Sequence, residues 1–123
     1  MPNLHFSLKT EWFNMTKSGV KTEDYREITR YWLSRLMTWD GKVQPAIHWT
    51  VMAIEMSKGN TYEKAEFKPY DYNVMTLGYP KSDDTERRIT LEHKGMSIGT
   101  GNPDWGAEPG KRYIIIKHGN IIS

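Results

Sequence analysis

The segment from Gly19 to Glu27 concentrates two cations, three carboxylates, one hydroxyl and one aromatic ring in nine residues, and it contains no long apolar run. In an extended segment, alternate side chains point to the same face. Four of these side chains would then share one face: Lys21, Glu23, Tyr25 and Glu27. Three would share the other: Thr22, Asp24 and Arg26. Such a strip can bind a polar, anionic molecule or form an ion-pair ladder within itself. Spacing alone favours the ladder, because exposed charge pairs are common and cost little.

The first third of the chain predicts one strand followed by two short helices. Residues 4–8 alternate apolar and polar side chains, which is the pattern of a half-buried strand. A short helix is expected next, with Thr10 as its N-cap and Gly19 ending it in the left-handed conformation. A second helix is expected to begin after a Thr29 cap and to run through Met37, since its apolar residues recur four positions apart.

The remainder of the chain predicts strands. Residues 47–56 show period two, and because both faces are largely apolar, we expect a central strand there. Further strands are expected at residues 70–79, 88–98 and 113–117. Two early helices and about five strands predict an α+β fold, with the strands curled into a small barrel. The length of 123 residues predicts a single domain, residues 1–123.

Composition narrows the possible function classes. The chain has no cysteine, which excludes disulfides, thiol nucleophiles and thiolate zinc sites. The four histidines lack ligand spacing, so neither a metal nor a cofactor is expected. A net charge of +2 argues against a highly charged nucleic-acid coat and allows a small basic patch. With no apolar run long enough for a membrane helix and no leader pattern, we expect a soluble cytoplasmic protein that does not bind membranes.

The order Gly-x-Lys-Thr-x-acid-x-Arg, which begins at Gly19, resembles the signature of ASCH domains, small β-barrel domains related to the PUA RNA-binding fold. The acid of that signature is usually Glu, and here it is Asp24. The chain is most similar to a small phage or bacterial type of this family. Other segments that carry the resemblance are residues 4–9, 12–15, 94–101, 105–106 and 113–117.

The resemblance implies that a nucleotide or an RNA segment binds in a small cleft of the barrel. The cations of the site would contact phosphate or a base edge, the aromatic rings would stack on bases, and the hydroxyl and carboxylate would hydrogen-bond a base or sugar. The expected ligand-binding residues are Lys21, Thr22, Asp24, Tyr25, Arg26 and Trp105.

For two of these residues a structural role is an open alternative. Arg26 can pair with neighbouring carboxylates and hold the barrel together from inside. Trp105 lies in a loop rich in Gly and Pro, residues 99–106. There the indole can stack on a base or fill a gap in the core.

A hydrolase is the first alternative function. The ASCH family includes an enzyme that removes the acetyl group from acetylated cytidine, for which the resemblance implies a Lys, a nearby Thr nucleophile and a distant Glu. Lys21 matches the lysine, but Asp24 occupies the place of the threonine, and a carboxylate cannot replace a hydroxyl in acyl transfer. If the chain is such an amidohydrolase or a ribonuclease, its expected catalytic residues are Lys21, Thr22, Asp24 and Glu92. A second alternative is a viral protein that sequesters a host nucleotide signal.

Overall fold

The computed structural model describes residues 2–81 and 83–122, which form an α+β structure, as predicted. The three helices are α1 (Thr10–Lys17), α2 (Arg30–Leu36) and α3 (Ala46–Ser57), and a 3₁₀ turn spans Pro103–Trp105. The strands are β1 (Leu4–Leu8), β2 (Glu23–Arg26), β3 (Met37–Trp39), β4 (Ala65–Phe67), β5 (Tyr72–Leu77), β6 (Arg88–Thr100) and β7 (Arg112–Ile121). Among the described residues, none of the helices is both long and apolar enough to cross a membrane.

Five strands form one mixed sheet in the order β1-β5-β6-β7-β2. β1 runs parallel to β5, with Leu4 opposite Asn73, whereas β5 and β6 are antiparallel, with Asn73 opposite Leu91. β3 and β4 form a separate antiparallel pair. The expected sheet of about five strands is therefore confirmed, and the strands predicted at 70–79, 88–98 and 113–117 correspond to β5, β6 and β7.

The chain divides into two compact units, each built from separated segments. Unit 1 comprises Met1–Asp24, Pro69–Gly95 and Ile116–Ser123, and unit 2 comprises Tyr25–Lys68 and Met96–Ile115. In unit 1, apolar side chains of β1 and β5 are buried, including Phe6 and Met75. In unit 2, the buried core includes residues of α2 and α3.

Three residues were predicted to mark the ends of the first two helices, and two of these predictions are confirmed. Gly19 has φ +82°, so the left-handed residue expected after α1 is confirmed. The Thr10 cap was wrong, because Lys9 is the N-cap residue and α1 has no side-chain cap hydrogen bond. The Thr29 cap is confirmed, since the Thr29 side chain accepts a hydrogen bond of 3.3 Å from the Trp32 backbone N–H.

The strand expected at residues 47–56 was wrong, because these residues belong to helix α3. Within α3, Trp49 and Met56 are buried while Ile47 and Ile54 are exposed, so burial repeats after seven residues rather than two. Most positions in this segment are apolar, and a largely apolar segment fits a strand and a buried helix equally well. Its length of 12 residues is typical of a helix.

Candidate functional site

The signature segment begins with a buried ion pair. Lys21, with 2 % of its surface exposed, donates from Nζ to Asp24 Oδ1 and also to the Glu23 carbonyl oxygen at 2.7 Å. Strict alternation placed Lys21 and Asp24 on opposite faces, but β2 begins only at Glu23. Lys21 precedes the strand, so the pleat does not fix its direction and its ammonium group folds back onto Asp24. Both charges are thereby neutralised inside unit 1.

A series of hydrogen bonds begins at Asp24 and passes through three side chains, each on a different strand. Its Oδ2 lies 2.6 Å from Nε2 of His118, on β7. Nδ1 of His118 lies 2.7 Å from Nδ2 of Asn73, on β5. Oδ1 of Asn73 lies 2.7 Å from Nδ1 of His93, on β6. We call these five residues the buried polar chain: Lys21, Asp24, His118, Asn73 and His93.

The hydrogen bonds of Asn73 determine where the protons of the two imidazoles lie. Asn73 Nδ2 donates to the Lys117 carbonyl oxygen at 3.3 Å, so its second hydrogen points to His118 Nδ1, which must accept. His118 then carries its proton on Nε2 and donates it to Asp24. Asn73 Oδ1 accepts from Nδ1–H of His93, which leaves a lone pair on Nε2 of a neutral His93.

The pKa shifts agree with this assignment of protons. Burial opposes ionisation of Asp24, but the hydrogen bond from His118 and the Lys21 ammonium outweigh it and hold the Asp24 pKa below its ordinary value of 3.8. Burial, followed by the charge that His118 would carry, lowers the pKa of His93 below 6.5. Burial also raises the pKa of Tyr70, whose ring centroid lies 5.6 Å from that of His93. His93 is therefore a neutral imidazole at pH 7.

We expect the free energy of unfolding to fall in two steps as the pH is lowered. His93 has an ordinary pKa of about 6.5 in the unfolded chain and a lower one in the fold, so its stabilising effect is complete above about pH 6.5 and is lost as the pH falls toward the folded pKa. The Asp24 pKa is also lower in the fold, so its contribution is lost below about pH 4. Urea unfolding at a series of pH values measures both steps.

His93→Gln should abolish the upper step, because a glutamine amide can still donate to Asn73 but does not titrate near neutral pH. His5→Gln is the matched control, since His5 lies on the exposed face of β1. An upper step that persists in His93→Gln would show that another group causes it.

Thr22 and Glu92, the other residues proposed for catalysis, have hydrogen-bond partners of their own. The Thr22 side chain is exposed, and the Thr22 carbonyl oxygen accepts from the His118 backbone N–H at 3.0 Å. The Glu92 carboxylate accepts from the Asn120 backbone N–H at 2.8 Å and lies 3.6 Å from the Lys94 ammonium. The ion pair with Asp24 favours the protonated form of Lys21, and a protonated amine cannot act as a base.

Three proposed ligand-binding residues lie in unit 2. The Tyr25 hydroxyl accepts from the Asn102 backbone N–H at 2.8 Å, and its ring lies 5.8 Å from that of Tyr113. Arg26 donates to the Tyr25 carbonyl oxygen and lies over the Trp32 ring, 5.5 Å from its centroid. Trp105 ends the 3₁₀ turn and is half-buried, so the structure gives it partial exposure to solvent.

A cavity of about 480 Å³ lies within unit 2. Its apolar wall is formed by six residues: Met37, Met56, Tyr62, Ala65, Phe67 and Ile98. The remaining lining residues are Gly59, Asn60, Thr61, Gly99, Thr100 and Arg112. The volume is within the range of about 300–1,000 Å³ that is usual for small-molecule sites, and an apolar wall with a few polar groups is the usual lining of such sites.

Three polar groups around this cavity have hydrogen-bonding capacity to spare. Within residues 2–81 and 83–122, the hydroxyls of Thr61 and Thr100 and the guanidinium of Arg112 take part in no side-chain hydrogen bond or ion pair. Asn60, by contrast, donates to the Glu55 carboxylate at 2.7 Å. A ligand could therefore find one cation and two hydroxyls beside an apolar wall.

Four residues of the buried polar chain and the cavity were not predicted from the sequence as site residues: Asn73, His93, His118 and Arg112. The signal for His118 was present, because it lies two positions after Ile116 on the inward face of β7, where a polar side chain needs a partner. Asn73 and Arg112 had no comparable signal. No group of three or more His, Asp or Glu side chains in the described part of the chain is placed to hold a metal ion.

No protein-family model, curated protein or solved structure matches this chain. The resemblance to ASCH domains therefore rests on the sequence motif that begins at Gly19 and on the other segments named with it.

Proposed function

We propose that the protein is an ASCH-like barrel domain that binds a nucleotide or a short RNA segment, with the base held in the cavity of unit 2. The observation that carries this proposal is the cavity itself, which combines aromatic and sulfur-containing walls with hydroxyls that have no partner in residues 2–81 and 83–122. Tyr62 and Phe67 offer faces on which a base can stack. Thr61 and Thr100 can donate to or accept from the polar edge of a base.

In this proposal the signature residues have a structural role. Lys21 and Asp24 are buried and paired with each other, so neither charge faces a ligand directly. Their contribution is to fix β2 against β7 within unit 1 through His118. The hydrolase alternative needs a Lys21 that can accept a proton, which the ion pair with Asp24 disfavours.

We expect Tyr62→Leu to weaken nucleotide binding by about 1–3 kcal/mol, the usual contribution of one stacked aromatic ring. Isothermal titration calorimetry with the four ribonucleoside monophosphates and with short single-stranded RNA measures the effect. Tyr62 is half-buried, so thermal unfolding of the variant is recorded alongside to confirm that it is folded.

Trp105→Leu is the comparison variant, because Trp105 is the stacking residue predicted from the sequence. If Trp105→Leu weakens binding and Tyr62→Leu does not, the base stacks on the loop of residues 99–106 and the cavity proposal is wrong. If no nucleotide or RNA binds the wild-type protein, the proposed function is wrong as a whole.

A further inference from the structure

We propose that the cavity of unit 2 selects nucleoside monophosphates over nucleosides, and that Arg112 binds the phosphate. This inference rests on the proposed function and specifies its ligand. It adds to that function an anion-binding residue that neither the signature motif nor its spacing indicates.

Arg112 is the positively charged residue among those that line the cavity. It is exposed and lies at the start of β7. In the described residues, 2–81 and 83–122, no carboxylate pairs with it. Other cations of unit 2 are differently engaged, since Lys111 pairs with Glu27 at 2.7 Å and Arg35 lies over the Tyr31 ring. The charge of Arg112 is therefore available to an anion that enters the cavity.

The Arg112 guanidinium is packed face-on against the backbone at Gly59. A Cβ atom built on Gly59 would lie 2.8 Å from Cζ of Arg112 and 2.9 Å from each Nη atom. Nearly equal distances to the three atoms place that position over the face of the guanidinium plane. The N–H donors lie in the plane and point away from Gly59, so the contact holds the group without using its donors.

Gly59 is the residue that permits this packing, for two reasons. Its φ of +98° is in the left-handed region that side chains disfavour, and the space of its missing Cβ is filled by Arg112. Gly59 also directly follows the C-cap residue of α3, Lys58. The carbonyl groups at a helix C-terminus carry partial negative charge, which favours a cation at this place.

The chemistry of the lining then specifies the ligand. A guanidinium fork matches two oxygens of a phosphate, and the bond is charge-assisted at both ends. The apolar wall that includes Met37, Met56 and Phe67 suits an uncharged planar ring and would not accept a second anion. A ligand with one ring and one phosphate satisfies both surfaces. Of the nucleotide class, a monophosphate has this composition, while a nucleoside leaves Arg112 without a partner.

The test is isothermal titration calorimetry of the full chain with each ribonucleoside monophosphate, the matching nucleoside and inorganic phosphate. We expect the wild-type protein to bind at least one monophosphate about tenfold or more tightly than its nucleoside, because the phosphate adds charge-assisted hydrogen bonds with Arg112. Arg112→Gln should remove this preference, so that the monophosphate and its nucleoside bind with similar affinities. Gly59→Ala should also reduce it, because the added Cβ displaces the guanidinium while the charge is retained.

Arg35→Gln is the matched control, since it removes the same charge from another exposed arginine of unit 2. It should keep the preference for the monophosphate. Equal binding of nucleoside and monophosphate by the wild-type protein would overturn this inference and leave the proposed function standing. A preference that survives Arg112→Gln, or inorganic phosphate that binds as tightly as the monophosphate, would also overturn it. Absence of binding by every nucleoside and nucleotide would overturn the proposed function together with the inference.

Discussion

Asp24→Asn should lower the free energy of unfolding by about 3–5 kcal/mol, the usual cost of leaving a buried charge without its partner. The substitution preserves the shape of the side chain but removes the charge that neutralises Lys21. It also changes where the protons lie in the buried polar chain. If the new amide donates to His118 Nε2, His118 must carry its proton on Nδ1, where it meets the amino group of Asn73. Urea unfolding followed by tryptophan fluorescence measures the loss.

Two further variants test whether charge is the cause. Glu27→Gln breaks the exposed pair with Lys111 and should leave stability almost unchanged, because solvent screens exposed pairs. Lys21→Met combined with Asp24→Leu removes both charges and should recover part of the loss, since an apolar pair often replaces a buried ion pair at little cost. Recovery is incomplete because the Nε2–H of His118 loses its acceptor. Wild-type stability in Asp24→Asn would show that the polar chain does not support unit 1.

Trp49→Ala should cost about 3–5 kcal/mol of stability in unit 2, through lost transfer free energy and the cavity that remains. Trp49 is 0 % exposed, whereas Ile47, two residues earlier, is 68 % exposed. Ile47→Ala should therefore change stability by no more than about 0.5 kcal/mol. Thermal unfolding of both variants compares the two positions directly. Similar losses at both positions would contradict the helix, because residues two apart share a face on a strand and not on a helix.

The elements predicted correctly are those in which apolar side chains recur at one regular spacing. Leu4, Phe6 and Leu8 are buried in β1, as their alternation requires, and Thr29 caps α2. The segment of α3 has apolar residues at most of its positions, so its sequence fits both a two-residue period and a helical period. What decides between helix and strand there is packing: Trp49 and Met56 are buried in unit 2, and no local pattern reports which residues pack against them.

The site was predictable only in part, for a related reason. The motif drew attention to Lys21 and Asp24, which do interact, but it did not reveal that the two charges neutralise each other. The partner of Asp24 is His118, 94 residues further along the chain, and Asn73 lies 45 residues before His118. Contacts over such distances are set by the order of strands in the sheet, which spacing within a short segment does not encode.

The residues of the buried polar chain lie far apart in the sequence, and this has a consequence for folding during synthesis. His118 leaves the ribosome 94 residues after Asp24, a delay of about 5–20 seconds at usual rates of translation. Throughout that time Lys21 and Asp24 belong to a nascent chain in which unit 1 still lacks its last segment. The hydrogen bond between Asp24 and His118 can therefore form only after β7 has been synthesised. Unit 1 can close only at that point, and until then the carboxylate of Asp24 lacks its histidine partner.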